Sequence, residues 1–270
     1  MNMKMPVSEM KGPMTESVIR VKRGIKPNNP LMLVGLPGIG FVSKLAVDHL
    51  IKVTKAQHFA TLYSPNFPNQ VIALKSGNLK LFSMRFFYKK LKGRDLIILK
   101  GDVQPLTVEG QYEVSSKIIS FFKSLGGFEV VAMAGYAVNK TAEKPAIYIT
   151  SNSKSQLKYF LGLGAKQNDA IIPIVGMAGL VPGIARLYDV KGSCLLVETQ
   201  GQAIDAIGAS ALLDMISKIT KEKIDTGELK GKAKKTEEVI RKIEQQAVRE
   251  NERGIGMTDM QKRNPQSYIH

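Results

Sequence analysis

Residues 31–51, LMLVGLPGIGFVSKLAVDHLI, constrain the fold more than any other stretch of the chain. An apolar run meets three glycines and a proline, and an amphipathic segment follows. This order predicts a buried strand, a tight turn and a helix. It also brings backbone N–H groups of a helix N-terminus to the end of a strand, where α/β sheets bind anions.

Two nucleotide-binding templates fail on this loop. A P-loop needs lysine and then serine or threonine after its second glycine. Gly35 and Gly40 have the right separation, but Phe41 and Val42 follow. Gly38, Gly40 and Ser43 approach the dinucleotide fingerprint, yet the ribose-binding carboxylate expected about 20 residues on is missing, where the sequence reads Gln57, His58, Phe59 and Ala60. Two readings stay open for the glycines: a turn that lets strand and helix pack closely, or contact with a small ligand.

The rest of the chain extends the α/β pattern. HFATLYS (58–64) reads as a strand and SPNFPN (64–69) as a loop. A β-hairpin with its turn near Ser76, Gly77 and Asn78 is expected next, its packed face taking the aromatics of LKLFSMRFF. DLIILKG (95–101) is the continuous apolar run of a strand buried on both faces. Val114, Ile118, Phe121, Phe122 and Leu125 recur at helical spacing over 108–125. Further strands are expected at 128–134, 146–152, 171–175 and 193–199, with turns at 135–137 and in GMAGLVPG (176–183). Helices are expected over 155–163, in IARLYDV and over 203–219. Pro182, Gly183 and Ile184 echo Pro37, Gly38 and Ile39, which suggests two equivalent sheet ends. The alternation implies a mostly parallel sheet covered on both sides.

With 270 residues and 44% hydrophobic side chains, the chain can supply a full core. No early apolar segment reaches the roughly 20 residues of a membrane span or resembles a signal peptide. A lone Cys194 in an apolar run reads as a buried small hydrophobe and suits a reducing, intracellular compartment. Three scattered histidines offer no metal-ligand spacing, so no metal is expected.

The net charge of +16 raises nucleic acid as a partner. Its densest source is the stretch holding Lys75, Lys80, Arg85, Lys89, Lys90, Lys92, Arg94 and Lys100 against Asp95 alone, with Phe82, Phe86, Phe87 and Tyr88 interleaved. That pattern suits single-strand stacking. A packed β-face accounts for the same aromatics, and an acidic protein partner for the same cations.

Acid–base candidates are few. Asp102 and Glu109 flank the loop DVQPLTVEG, but Thr107 as N-cap and Glu109 in the first helical turn explain the pair structurally. Glu198 flanks the last sheet turn, Asp205 falls in the first turn of the following helix, and Lys140 reads as an anion contact or a solvated cation. No nucleophile elbow or His–Glu metal motif occurs, so no catalytic residue or cofactor is assigned. Gly35, Gly38, Gly40, Asp102, Gly135, Gly176 and Gly179 remain as ligand-loop candidates.

LVGLPGIGFVSKLAVDHLI, YSPNFPNQV, GDVQPLTVEGQYEV, the Gly135-Tyr136 turn, GMAGLVPGIARL and CLLVETQGQAIDAIGASALLDMISKI together resemble the proteasome assembly chaperone family, in its second chaperone type and archaeal homologues. The resemblance implies a three-layer α/β/α sandwich, with a mostly parallel or mixed sheet, similar to nucleoside phosphorylases. It implies a domain over 29–225 behind an N-terminal extension (1–28), then a charged C-terminal helix (226–253) and a flexible tail (254–270). Its functional implication is ATP-independent assembly or activation of the proteasome core particle in the cytoplasm, by a homo-oligomer or a hetero-oligomer with a paralogue that docks on the α-ring. The sequence departs from the family where Ala137, Val138 and Asn139 replace Gly-Thr-Gly after the Gly-Tyr turn. It departs again at the docking tail, which commonly ends hydrophobic–Tyr–any residue and here ends Tyr268, Ile269, His270. The rivals are a phosphorylase-like or ATP-dependent carboxylate–amine ligase enzyme, and a nucleic-acid-binding module.

Overall fold

The computed structural model describes residues 14–169, 171–201, 204–229 and 231. The tail Tyr268, Ile269 and His270, and most of the expected helix 226–253, lie outside the described residues.

The elements are, in chain order, β1 (Val18–Val21), β2 (Leu31–Gly35), a 3-10 turn (Ile39–Phe41), α1 (Val42–Thr54), β3 (Gln57–Tyr63), β4 (Val71–Ala73), β5 (Leu79–Leu81), β6 (Met84–Lys89) and β7 (Leu96–Gly101). Then come α2 (Val108–Ser124), β8 (Glu129–Ala137), β9 (Ile147–Ser151), α3 (Lys154–Gly162), β10 (Lys166–Gln167), α4 (Met177–Ala185), a second 3-10 turn (Arg186–Tyr188), β11 (Lys191–Thr199) and α5 (Ala206–Thr220). Nine strands form one sheet in the order β1-β3-β6-β7-β2-β8-β11-β9-β10, while β4 and β5 pair as a separate hairpin.

The sheet is mixed. β2 runs parallel to β7 and β8, and β8 parallel to β11, whereas β1, β3, β6 and β7 pair antiparallel in succession and β9 is antiparallel to β11. The parallel centre is where the apolar runs sit, because those strands are buried on both faces. Leu31, Leu33, Leu96, Ile98 and Val131 pack on one side against α1 and α5. Met32, Val34, Ile97, Leu99 and Val130 pack on the other with residues of α2 and α4. This is a three-layer α/β/α sandwich, in which each fully buried Leu or Ile contributes about 1.5–3 kcal/mol.

Several expectations need correction. Residues 18–21, assigned to an N-terminal extension, form the edge strand β1 on β3. The hairpin near Gly77 exists, but Phe86 and Phe87 belong to β6 of the main sheet. Residues 171–175 form no strand: Pro173 cannot donate to a ladder, and β8 and β9 already flank β11. The supposed turn 176–183 lies almost entirely within α4, whose Met177, Val181, Ile184 and Ala185 bury one helical face. Pro182 is therefore inside a helix while Pro37 precedes a 3-10 turn, so the two Pro-Gly-Ile triplets are not equivalent. Nor does the chain turn at Gly135; β8 continues to Ala137, paired with β11.

Candidate functional site

The parallel strands β2 and β8 are neighbours where the chain, having built one half of the sheet, crosses to the other; β2 ends at Gly35 opposite Met133, and β8 runs on to Ala137. Open α/β sheets bind ligands at such places. Here a crevice of about 330 Å³ opens, lined by Leu36, Gly38 and Ile39 after β2, by Gly135 and Tyr136 of β8, and by the 172–175 segment.

Glycines shape it. Gly40 adopts φ +64°, and a Cβ there would fall 2.7 Å from Thr199 Oγ1. At Gly135 a Cβ would fall 2.5 Å from the Ile39 carbonyl, so only glycine lets the turn lie on the end of β8. Asp205 N–H donates to the Gly40 carbonyl at 2.9 Å, tying the turn to the start of α5. The next residue, Phe41, sits in the left-handed region at φ +52° with its ring half exposed.

Gln104, which the sequence did not single out, holds the crevice together. Its Nε2 donates to the Pro37 carbonyl at 2.6 Å, and its Oε1 accepts from Met177 N–H at 3.1 Å, at the N-terminus of α4. Ser43 Oγ donates to the Leu36 carbonyl at 2.7 Å. Apart from Tyr136 the remaining lining is apolar, and among the described lining residues there is no carboxylate, histidine, lysine or arginine.

Of the ligand-loop candidates, Gly38 and Gly135 line the crevice. Gly35 ends β2 against Val47 of α1, Gly176 lies beside Gln104, and Gly179 packs on Ile174, which lines it. Asp102 does not join them. Its carboxylate accepts from Lys80 (2.9 Å), Arg85 (3.0 Å) and Ser83 (3.2 Å) on the β5–β6 side. Burial pushes that carboxyl up, but Lys80 and Arg85, with Ser83, outweigh it and hold it below the usual carboxylate value.

The other acid–base candidates are occupied structurally. Thr107 caps α2 by accepting from Gly110 N–H, and Glu109 sits in that helix's first turn. Asp205 is the N-cap of α5 rather than part of its first turn, accepting from Gly208 N–H at 2.7 Å. Glu198 accepts from Ala146 N–H and Tyr148 Oη, both at 3.0 Å. Lys140 is exposed. Burial raises the Cys194 thiol to about 12, which leaves it a packing group.

Four of the eight cations of the basic stretch are ion-paired within the fold. Lys80 and Arg85 pair with Asp102, Arg94 with Glu129 at 3.0 Å, and Lys100 with Asp48. Phe86 is fully buried, Phe82 packs against the same core, and Tyr88 Oη donates to Asp95 at 2.8 Å, with burial and that bond raising its pKa to about 12. The aromatics are therefore core groups, not a stacking platform. No helix among the described residues is long and apolar enough to cross a membrane.

Comparison with known proteins agrees with this architecture. A protein of Methanocaldococcus jannaschii of uncharacterized function is 32% identical over 236 residues, covering 85% of this chain and 89% of its own. The chain is similar to the crystal structure of Pyrococcus furiosus PbaB, an archaeal proteasome activator, at 37% identity and TM-score 0.81, covering 86% of this chain and all of PbaB. It is also similar in fold to P. furiosus PbaA, an archaeal homolog of proteasome-assembly chaperone, at 21% identity and TM-score 0.72, over 91% of this chain and 99% of PbaA. The PAC2 family model matches residues 32–244, beginning in β2 and running beyond α5. The chain belongs to the PAC2 family.

Proposed function

We propose that this protein is an ATP-independent assembly chaperone or activator of the proteasome core particle, working through protein contacts and not through catalysis. The observation that carries the reading is exposed apolar surface on the lining of the crevice, at Ile39 and Val175, and on the segments that flank it in the chain. Leu106 is 72% exposed, Val175 88%, and Ile171 fully exposed. Ile39 and Phe41 on the turn, with Ile204 beside Asp205, add further half-exposed apolar surface. Monomeric proteins seldom leave so much large apolar surface exposed, and such a surface marks a protein contact. The likeness to an archaeal proteasome activator at 37% identity supports the proteasome as that partner.

In this reading the protein acts in the cytoplasm as a homo-oligomer, or with a paralogue, and docks on the α-ring. The residues Tyr268, Ile269 and His270 serve as docking tails, and several weak tails on one ring gain avidity through effective concentration. The unit over 29–225, extended by β1, is the rigid body that carries them.

The test is to mix purified protein with core particle and follow peptide hydrolysis and co-migration, for the full chain and for a form ending at Gly256. Co-migration with altered hydrolysis supports the reading, and no interaction in either form refutes it. A thermal-shift screen with ATP, nucleosides and phosphate addresses the enzyme reading, which requires a saturable shift that Gly38 or Asp102 variants abolish.

A further inference from the structure

On the α1/α5 side of the sheet, no helix among the described residues packs over the β1-β3-β6 edge. Helix α1 packs over β2, β7 and β8, and α5 over β11, while β1, β3 and β6 continue the same face beyond them. On that extension Arg20, Thr61 and Arg85 stand in one cross-strand row. The opposite face of the same strands is spent in the core through Ile19, Leu62 and Phe86. The β4–β5 hairpin stands over the open face and closes it into a groove of about 420 Å³.

The groove has a consistent chemistry. Arg20, Lys80 and Arg85 line it with His58, Thr61, Tyr63 and Ser83, and no carboxylate is among its described lining residues. Asp102 lies behind the lining, where one carboxylate holds Lys80 and Arg85 side by side. Two cations share a single partly buried carboxylate, so the cluster keeps an excess positive charge. Val18, Leu79 and Leu81 alternate with these cations along the walls. Leu79, paired with Ala73 in the hairpin, is 73% exposed.

We infer that this groove docks an extended acidic segment of a protein partner, its carboxylates meeting Arg20, Lys80 and Arg85 and its aliphatic side chains meeting Leu79, Leu81 and Val18. Charge complementarity selects the occupant. Among the described residues β1 is the edge strand of the sheet, a place where an extended chain can add main-chain hydrogen bonds. A nucleic acid fits less well, because Phe82 and Phe86 of the basic stretch are committed to the core. The inference does not depend on the proteasome reading: the groove lies on a different face from the crevice and uses none of the C-terminal residues.

Fluorescence anisotropy with a labelled peptide of alternating Glu and Leu tests it on the full chain. The expected result is saturable, salt-sensitive binding that a Gln-for-Glu peptide lacks. Leu79→Glu places a carboxylate in the groove at an exposed position and Arg20→Glu reverses a lining charge. Each should weaken binding about tenfold or more, a loss of about 1.4 kcal/mol, while Lys90→Glu, an exposed charge change outside the groove lining, leaves it unchanged. Circular dichroism verifies that each variant is folded. Absence of saturable binding overturns the inference, as does an equal loss in Lys90→Glu. A short oligothymidylate that binds as tightly, with the same sensitivity to Leu79→Glu, overturns it in favour of nucleic acid.

Discussion

The side-chain amide of Gln104 bridges to the carbonyl of Pro37 across 2.6 Å, joining the loop after β7 to the turn after β2. Its other end receives the Met177 N–H of α4, so one residue fixes two walls of the crevice. Gln104→Ala leaves both groups without that partner. A buried polar group losing its partner costs about 1–3 kcal/mol. Urea denaturation should show a loss in that range, and hydrogen exchange at Met177 should accelerate.

Gly38 and Gly40 are two residues apart and differ in what they tolerate. A Cβ at Gly38 meets nothing within 4 Å, and its φ of −167° is ordinary extended backbone. At Gly40 the backbone is left-handed and Thr199 occupies the space. Gly40→Ala should therefore cost about 1–3 kcal/mol, and Gly38→Ala less than about 0.5 kcal/mol, both read by chemical denaturation.

Asp102 gives the fold a pH signature. Its folded carboxyl is held below the unfolded value, so the stability it contributes is complete above the ordinary carboxylate range near pH 4 and is lost as pH falls through the lower folded value. Asp102→Asn should lower stability at pH 7 by about 1–3 kcal/mol and flatten the fall below pH 4. Denaturation midpoints measured between pH 2.5 and pH 7 decide this.

The thiol of Cys194 is 1% exposed and pushed up to about 12 by burial. A thiol-specific chromogenic disulfide at pH 8 should leave it unmodified in the native protein and react with one equivalent in denaturant. Rapid native reaction would contradict the packing.

The central architecture was legible in the sequence because its signals are local. The apolar runs of β2 and β7 mark strands buried on both faces, and the 3.6-residue spacing of Val114, Ile118 and Phe122 marks α2. What escaped depends on neighbours. β1 is four residues with Arg20 among them, and only pairing with β3 makes it a strand. The run 171–175 carries a strand's composition, but Pro173 and the filled ladder of β11 exclude it. In α4 the glycines and Pro182 masked a helical signal that was present, since Met177, Val181, Ile184 and Ala185 follow helical spacing. At the site, the close approaches of Gly40 and Gly135 arise from residues far along the chain, Thr199 and Ile39, and Gln104 gave no sequence signal because both its partners are distant in the chain. The aromatics of the basic stretch belong to the sheet, yet only pairing with Asp102, Glu129 and Asp48 reveals how far its cations are neutralised.

Analytical ultracentrifugation of the full chain with proteasome core particle tests the central claim most directly, with the form ending at Gly256 and a Leu106→Lys, Val175→Lys variant run alongside. The account predicts a faster-sedimenting complex for the full chain that is weakened by either change. A full chain that sediments independently of the core particle at every concentration would contradict it.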